Sequence, residues 1–573
     1  MRSNLFKFSM RLPFRAGINR FSSLVFGILF FGIFTGCGIK KSLQDRPDIS
    51  KYTQEVSEKV IVNDSTFIQG NNFLTKNNYG LWELYVEGNP LERGLANGNL
   101  TQSLYYKQEK VFLNKVNSLV PGEGQQKFLA KFLKWYNRKM YQHIPEEYKT
   151  EIYGVSRYAS SEFNELATPY LRSLYLHGAH DIGHALQDLM LVGCTSFAVW
   201  DDKSEDGNLL LGRNFDFYAG DEFAEEKIIA FVNPEDGHKF MSVTWGGFIG
   251  VVSGMNDQGL TVTINAGKSK IPLMAKTPIS LVSREILQYA SNIEEAVAIA
   301  RKREVFVSEA IMVGSAKDGK AVLIEVSPNN FGVYEVENTS ELICANHFQS
   351  DTFQKDRRNL KTIEESHTAY RFNRMTQLLD QEEKVNPTEA VAILRNKEGL
   401  NGKEIGYGNE KALNQLLAHH GIVFQPTDLK VWISASPYQL GAFVCYDLNE
   451  VFKNRTDNPS LVSLSEENKT IPASSFLKTE AYKNYEAYRM LETAIETEIE
   501  TKIFTKTNTV AALIHLNPKY WKAHYLLGRY LYETKKYREA VKALTEASQK
   551  EIPSLDEVAL VEKYLRKAKR KIK

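Results

Sequence analysis

Cysteine and excess charge are both scarce in this sequence. Its 573 residues include four cysteines, Cys37, Cys194, Cys344 and Cys445, which are too few and too scattered for the disulfide framework of a small secreted domain. The formal net charge is only +2, whereas a dedicated nucleic-acid-binding protein carries a concentrated excess of Lys and Arg. We therefore expect no nucleic-acid partner.

Long apolar runs are scarce as well, and the clearest one lies near the amino terminus. Residues 23–36, SLVFGILFFGIFTG, follow a series of basic residues and precede Cys37. The run is too short to span a membrane comfortably, and its ending, FTGC, resembles the lipobox of bacterial lipoproteins. We predict a signal peptide over residues 1–36, a lipid on Cys37, and a location in the bacterial cell envelope, anchored to the membrane on the exported side.

The rest of the composition is that of a globular protein with more than one domain. Hydrophobic residues make up 43% of the chain and charged residues 24%, and the length exceeds what one hydrophobic core usually holds. Residues 37–75 are polar and aperiodic, which predicts a tether. Apolar residues then recur every three or four positions, which predicts a mainly helical segment over 76–193.

Past Gly193 the hydrophobic period becomes that of strands. Short runs such as TSFAVW and GLTVTINAG are separated by turn residues, as in strands joined by tight turns. Two helices follow, PISLVSREILQYA and SNIEEAVAIARKR, the second with a capping box at Ser291 and Glu294. Strands then return, with a helical stretch over 357–396. This order predicts an α+β domain over 194–455, with two sheets covered by helices on their outer faces.

The last part of the chain, residues 480–573, has a helical pattern again. The stretch WKAHYLLGRYLYETKKYREAVKALTEASQKEIP resembles one tetratricopeptide repeat, with Leu527, Gly528, Ala540, Leu544 and Ala547 at that repeat's small and apolar positions. Stable stacks of this repeat normally need about three units. We therefore predict a tetratricopeptide-like helical appendage that packs on the main domain and is a candidate surface for a protein partner.

The stretch LVGCTSFAVWDDKSEDGNLLLGRNFDF places Cys194 at the start of a predicted strand. If the bond between Gly193 and Cys194 is cut, the cysteine gains a free α-amine. The ordinary pKa of such an amine, about 7.7–8.0, suits a base that acts on its own thiol. Asp216 is a candidate partner of that amine, and Arg213 is a candidate for lowering the thiol pKa.

Asn265 and Asn346 are candidate N–H donors for an oxyanion. With Cys37 acylated, three cysteines remain, and an odd number outside the cytoplasm favours a free thiol with a chemical role. Spacing alone also fits a simpler interpretation, in which Cys194 is a buried strand residue and Arg213 and Asp216 form a structural ion pair.

Several motifs occur in an order that resembles one superfamily. CTSF, GRNFDF, GMNDQGLTVTINAG and CANHF are similar to motifs of the N-terminal-nucleophile superfamily, which contains choloylglycine hydrolases and acyl-coenzyme A:6-aminopenicillanate acyltransferases. VEGNPLERGLANGNL and ESHTAYRFNRMTQLL favour the acyltransferase branch. The resemblance covers roughly residues 84–450.

This resemblance implies a four-layer αββα fold and a nucleophile, Cys194, that forms a thioester. It also implies self-cleavage between Gly193 and Cys194, after which the helical pro-segment, residues 76–193, stays bound. Asp216 would hold the α-amine, Arg213 would polarise the thiol, and two amides would form the oxyanion hole. The residues assigned to catalysis are Cys194, Arg213, Asp216, Asn265 and Asn346.

The implied activity is that of a hydrolase or acyltransferase acting on linear amide bonds of small N-acyl substrates, with no cofactor or metal. Hydrolysis is favoured, because the space outside the cytoplasm offers water and little acyl-coenzyme A. The chain departs from the choloylglycine branch at one position. A further arginine precedes a late strand in that branch, and His420 stands there in this sequence.

Two other functions stay open. His180 and His184 stand one helical turn apart in HGAHDIGHALQD, as in the HExxH helix of zinc proteases, although Asp181 replaces the glutamate that serves there as the base. A zinc-dependent hydrolase is therefore one alternative. The other is a non-catalytic envelope lipoprotein whose helical tail binds protein partners.

Overall fold

The computed structural model describes residues 36–120, 122–179, 181, 191–218, 220–269, 272, 274–453, 463–504 and 508–572. The predicted signal peptide, apart from Gly36, lies outside these residues, and the lipid on Cys37 stays a prediction. In the described part of the chain, no helix is both long enough and apolar enough to cross a membrane.

Eleven of the described strands form the larger of two main sheets. In spatial order they are β1 (Val60–Asn63), β2 (Thr66–Gln69), β3 (Asn72–Lys76), β4 (Trp82–Gly88), β9 (Ile228–Pro234), β10 (Phe240–Thr244), β11 (Ser253–Asn256), β12 (Leu260–Ala266), β13 (Glu309–Ser315), β14 (Lys320–Val326) and β15 (Phe331–Tyr334). Strand β4 runs parallel to β9, and the other neighbours are antiparallel. Residues that precede Cys194 thus supply four strands of this sheet.

Six described strands form the smaller sheet, in which all neighbours are antiparallel. In spatial order they are β16 (Glu341–Cys344), β6 (Thr195–Val199), β7 (Leu210–Phe215), β17 (His420–Gln425), β18 (Lys430–Ser434) and β19 (Phe443–Asp447). Two short strands, β5 (Leu191–Val192) and β8 (Phe217–Tyr218), form a separate antiparallel ladder. The chain passes from this ladder into the smaller sheet at Cys194.

The described helices complete the architecture. In chain order they are α1 (Gly36–Gln44), α2 (Pro90–Leu100), α3 (Gln102–Leu119), α4 (Glu123–Tyr136), α5 (Glu146–Ser156), α6 (Pro169–His177), α7 (Asp221–Glu225), α8 (Ile279–Tyr289), α9 (Ile293–Lys302), α10 (Arg357–Glu365), α11 (Thr368–Gln381), α12 (Pro387–Leu394), α13 (Leu448–Val451), α14 (Glu480–Thr501), α15 (Ala512–Leu516), α16 (Trp521–Glu533), α17 (Tyr537–Ser548) and α18 (Leu555–Ile572).

The core between the two sheets is built from alternate positions along the strands, as the period of a strand requires. On β9, Ile229 and Phe231 face the smaller sheet, where they share a buried cluster with Ile422 of β17. Their neighbours Ile228 and Val232 belong to the cluster on the opposite face of the larger sheet. Both faces of this sheet are therefore buried, which explains the nearly continuous apolar runs of its strands.

Helices cover the outer face of each sheet. Helices α8 and α9 pack on the larger sheet through side chains such as Val282 and Ala296, and α11 and α12 pack on the smaller sheet through side chains such as Met375 and Val391. The order helix, sheet, sheet, helix confirms the predicted α+β class. The N-cap of α9 lies one residue later than predicted: Asn292 is the N-cap, and its side chain accepts a hydrogen bond from the Glu295 backbone amide. The Glu295 side chain accepts from the Ser291 amide, so the predicted capping box of Ser291 and Glu294 does not form.

The segment before Cys194 differs from the sequence-based expectation. Residues 37–75, predicted as a tether, contain α1, β1, β2 and most of β3. Every residue of β1 is exposed, because this strand lies at the edge of the sheet and pairs through its backbone, which leaves no apolar period in the sequence. The pro-segment assignment of residues 76–193 stays a prediction.

The carboxyl-terminal helices α14–α18 form a cluster of their own, which is joined to the main domain through Leu416 and Leu440. The described helices of this region agree with the helical pattern of the sequence. Their assignment to the tetratricopeptide family, and a protein partner for them, stay predictions.

Candidate active site

The Gly193–Cys194 bond lies where two ladders meet. Strand β5 pairs with β8, and β6 pairs with β7, in one shared register. Between the two ladders, the Gly193 amide donates a hydrogen bond of 3.1 Å to the backbone carbonyl of Asp216. A strand pair therefore lies on each side of this bond, and Asp216, a predicted site residue, lies directly opposite it.

The Cys194 thiol is buried, with 1% of the residue exposed, and the Arg213 Nη2 atom lies 3.9 Å from its sulfur. Burial raises the pKa of the thiol to about 11, although the positive charge of Arg213 acts in the opposite direction. Burial outweighs the charge of Arg213, so the thiol stays protonated near neutral pH, and the catalytic role of Arg213 stays a prediction.

Arg213 is held rigidly from the larger sheet. Its Nη1 atom donates to the Val252 carbonyl at 2.7 Å and to the Ser253 hydroxyl, and its Nη2 atom donates to the Ile264 carbonyl. The Ser253 hydroxyl lies 2.9 Å from His420 Nε2. His420 is thus linked to Cys194 by hydrogen bonds through Ser253 and Arg213. Burial keeps the pKa of His420 well below its usual value.

Asp216 is fully buried. One carboxylate oxygen, Oδ1, accepts a hydrogen bond of 3.3 Å from Gln439 Nε2. The other oxygen, Oδ2, has no hydrogen-bond partner among the described residues. Burial raises the pKa of Asp216 to about 7, against the opposing influence of Arg371, Gln439 and Arg213. The carboxyl group is thus poised to lose its proton when a cation comes close.

The two predicted amide donors lie in the same region but are engaged elsewhere. Asn265 Nδ2 donates to the carbonyls of Cys344 and Ala345, both at 3.3 Å. Asn346 Nδ2 donates to the Ala266 carbonyl at 3.0 Å. In the uncut chain neither amide is directed at the Gly193 carbonyl, so their role in an oxyanion hole stays a prediction.

Arg371 is a site residue that the sequence analysis did not identify. Its Nη1 atom donates to the Cys194 carbonyl at 2.7 Å and to the Thr195 hydroxyl at 2.6 Å, and its Nη2 atom donates to Asn346 Oδ1 at 2.6 Å. It lies in the motif ESHTAYRFNRMTQLL, which offers two arginines. The other, Arg374, pairs with Glu398 instead, so the motif alone could not select between them.

Gln415 is a second unidentified residue at the site. Its Nε2 atom donates a hydrogen bond of 3.0 Å to the Gly193 carbonyl. A Cβ atom on residue 193 would lie 2.3 Å from that nitrogen, so glycine is what allows the close approach. No motif contains Gln415, and the 222 positions that separate it from Gly193 leave no local signal in the sequence.

The rival histidine site gains no support from the part of the chain that the structure describes. His180 and His184 lie outside it, and no group of three or more metal-binding side chains occurs within it. His177 uses both ring nitrogens, one with the Ser173 carbonyl and one with the Ile249 amide. Asp181 accepts a hydrogen bond from the Ile279 amide at the start of α8.

Comparison with known proteins agrees with the predicted family. Residues 202–436 match the model of the acyl-coenzyme A:6-aminopenicillanic acid acyl-transferase family, which confirms the resemblance found in the sequence. The matched region contains four of the five predicted catalytic residues and begins shortly after Cys194.

Two curated relatives match part of the chain. An uncharacterised protein of Archaeoglobus fulgidus is 28% identical over 281 residues, which is 44% of this chain and 45% of that protein. Protein dcd1B of Dictyostelium discoideum is 24% identical over 199 residues, 34% of this chain and 37% of that protein. The chain thus spans less than half the length of these relatives.

Among solved structures, the N-acylethanolamine-hydrolyzing acid amidase ortholog of Caenorhabditis elegans matches with a TM-score of 0.31 and 17% identity, over 41% of this chain and 93% of that one. A mutant of the conjugated bile acid hydrolase of Clostridium perfringens matches with a TM-score of 0.31 and 14% identity, over 46% of this chain and 95% of that one.

Proposed function

Proceeding from the family match over residues 202–436, we propose that this chain is an N-terminal-nucleophile hydrolase or acyltransferase that cuts itself between Gly193 and Cys194 and then acts on N-acyl amide bonds. The observation that carries the proposal is the convergence of two buried cations on Cys194. Arg213 lies 3.9 Å from its sulfur, and Arg371 donates to its carbonyl. Burying a guanidinium group costs free energy, which a purely structural cysteine would not require.

After the cut, the α-amine of Cys194 acts as the base. It takes the thiol proton, and the thiolate sulfur attacks the carbonyl carbon of the N-acyl substrate. The C–N bond then breaks, the leaving amine takes the proton from the Cys194 ammonium, and the acyl group remains on sulfur as a thioester. Water releases it as a carboxylic acid, or an acceptor amine releases it as a new amide.

The surrounding side chains have separate tasks in this scheme. Asp216 offers its Oδ2 atom to the new ammonium group, and Arg213 stabilises the thiolate. Asn265 and Asn346 have to turn away from their present carbonyl partners to serve an oxyanion. The scheme uses these side chains, the new amine and water, so it requires no cofactor.

The uncut chain is an inactive precursor in this proposal, because its thiol is protonated near neutral pH and buried. The segment before the cut stays bound afterwards. We also propose that a lipid on Cys37, within FTGC, holds the protein on the exported side of a bacterial membrane. Mass spectrometry that finds Cys37 without acyl chains would contradict this last point.

Self-cleavage is tested by denaturing electrophoresis of the wild-type protein, Cys194→Ala and Cys445→Ala. We expect two fragments from the wild type, with Cys194 as the new amino terminus, and a single chain from Cys194→Ala. Cys445 is also a buried cysteine but lies in β19, on the far side of the smaller sheet from β6, so Cys445→Ala should be cut like the wild type. A single uncut chain in all three samples would overturn the proposal.

The activity is tested by supplying the cut protein with a panel of N-acyl amides and measuring the released carboxylic acid. Hydrolysis that is lost in Cys194→Ala supports the proposed reaction. Complete cleavage of the chain with no turnover of any amide in the panel would leave self-cleavage standing and contradict the amidase activity.

A further inference from the structure

The side-chain amide of Gln415 faces the carbonyl of the bond that is proposed to be cut. We infer that Gln415 is the oxyanion donor of the self-cleavage reaction at Gly193, an inference that rests on the proposed function. Its Nε2 atom lies 3.0 Å from the Gly193 oxygen, within the range of a good N–H···O hydrogen bond. The side chain is 3% exposed, so water does not compete freely for this contact.

The reaction that Gln415 assists is an acyl shift from nitrogen to sulfur followed by hydrolysis. The Cys194 sulfur attacks the Gly193 carbonyl carbon, and the electron pair of the C=O bond moves to the oxygen, where the Gln415 N–H donates to it. The intermediate then collapses, the C–N bond breaks, and the Cys194 nitrogen takes the proton that the thiol gave up. Water hydrolyses the resulting thioester to a Gly193 carboxylate and a free Cys194 thiol.

The other candidate donors point elsewhere in the uncut chain. Asn265 donates to the carbonyls of residues 344 and 345, and Asn346 donates to the carbonyl of Ala266. Arg371 donates to the carbonyl on the other side of the bond, that of Cys194. The geometry thus separates two tasks: Gln415 serves the oxygen that becomes an oxyanion during self-cleavage, and the asparagines remain for substrate turnover.

The fold holds Gln415 in place from both sides. The Leu413 carbonyl accepts a hydrogen bond of 3.0 Å from Asn214 Nδ2 of β7, next to Arg213 in the sequence. Leu416 is buried in the cluster of the carboxyl-terminal helices, and its carbonyl accepts a hydrogen bond of 3.3 Å from the Tyr485 hydroxyl of α14. The carboxyl-terminal helices therefore fix the position of the segment that carries the Gln415 amide.

The experiment measures how fast newly synthesised full-length protein converts into two fragments. Gln415→Ala and Gln415→Glu are compared with the wild type and with Gln69→Ala, a control that removes a glutamine of equal exposure, 3%, from strand β2. We expect Gln415→Ala to cut about 10²–10³-fold more slowly, as when an oxyanion donor is removed. Gln69→Ala should cut at the wild-type rate.

The pH profile separates a donor from a packing role. A protonated glutamate still offers an O–H donor, whereas its anion repels the oxyanion. The rate of Gln415→Glu relative to the wild type should therefore fall as the pH rises from about 5 to about 9, across the titration of the introduced carboxyl group. The relative rate of Gln415→Ala should not change over the same range.

The outcomes distinguish this inference from the proposed function. If the wild type is not cut, and matches Cys194→Ala, then self-cleavage itself is refuted. If the wild type is cut and Gln415→Ala is cut equally fast, or if the relative rate of Gln415→Glu is independent of pH, then the role assigned to Gln415 is overturned while self-cleavage stands.

Discussion

Ionisable side chains around Cys194 are buried together, and burial governs their charge before any cut occurs. Burial raises the pKa of the Cys194 thiol to about 11 and that of Asp216 to about 7, and it raises the pKa of Glu309 well above the usual value. A cut at Gly193 would create an ammonium group beside this cluster. Its positive charge would lower the pKa of Asp216, so the cut itself would switch the site to its charged form.

The raised pKa of Asp216 predicts a stability that depends on pH. A carboxyl group with a folded-state pKa near 7 and an ordinary value of 3.8 stabilises the fold below the ordinary value and loses that contribution as the pH rises through the folded value. In a Cys194→Ala background, where we expect the chain to stay uncut, Asp216→Asn should therefore gain about 4 kcal/mol of unfolding free energy relative to its parent between about pH 4 and about pH 7. Urea unfolding at several pH values measures the difference.

The parent and the double variant share every other titrating group, so their difference isolates Asp216. A difference that stays constant over this pH range, or that changes in favour of the parent as the pH rises, would contradict the assignment of Asp216 as a buried, largely protonated group.

The connection between α12 and β17 links the main domain to the carboxyl-terminal helices. The Tyr407 amide donates to Asn517 Oδ1 at 3.1 Å, and Asn517 Nδ2 donates to the Tyr407 carbonyl at 2.8 Å. Lys411 pairs with Glu551 at 2.7 Å. Gln415 follows on the same segment. The packing of these helices therefore helps to set the position of the Gln415 amide.

Gly406 on this segment lies close to the backbone of the carboxyl-terminal helical region. Its φ is +84°, and a Cβ atom there would lie 2.4 Å from the backbone of Tyr520. Gly406→Ala should lower the free energy of unfolding by about 2–4 kcal/mol, from backbone strain and overpacking together. Gly402→Ala is the matched control, because Gly402 has a similar φ, +71°, and its nearest contact is Glu398 Oε2 at 3.6 Å.

Gly402→Ala should lower the free energy of unfolding by only about 1 kcal/mol, because it adds backbone strain without overpacking. Denaturant unfolding of the two variants provides the measurement. Equal losses at both positions would show that the contact with Tyr520 has no energetic weight and that the helices are docked by other contacts.

At the scale of the whole molecule, the larger sheet is built from residues on both sides of the proposed cut. Strand β4, which precedes the cut, pairs with β9, which follows it, from Trp82 opposite Ile228 to Gly88 opposite Pro234. The buried Glu151 of α5 pairs with Arg93 of α2 at 2.8 Å and with Arg284 of α8 at 3.1 Å. A cut at Gly193 would remove one covalent bond and leave these contacts in place.

The two fragments should therefore stay together as one particle. We expect the cut wild type to elute from a gel-filtration column at the same volume as the uncut Cys194→Ala protein, and to separate into two components only in denaturant. Separation of the fragments in native buffer would contradict the view that the segment before Cys194 is part of the folded body.

Local patterns were sufficient for the α+β class, and together with the family resemblance they supplied the first list of candidate site residues. The short, nearly continuous apolar runs of β9 and β13, and the helical runs of α8 and α9, reflect burial of one or both faces of each element, which the sequence records directly. Cys194, Arg213 and Asp216 lie on or next to the paired strands β6 and β7 and close together in the chain, so two short motifs made all of them candidates. The edge strand β1 was not predicted because an edge strand needs no apolar period.

The sequence by itself therefore determined the class of the fold, the bond Gly193–Cys194 as the point of interest, and the cysteine, arginine and aspartate around it. Only the tertiary structure decided that Arg371, Gln415 and Gln439 contact the residues of this candidate site. These residues contact Cys194, Gly193 and Asp216 across 177, 222 and 223 positions of the chain. Such contacts depend on how whole layers and loops pack, and a single polar side chain on a loop leaves no periodic signal in a sequence.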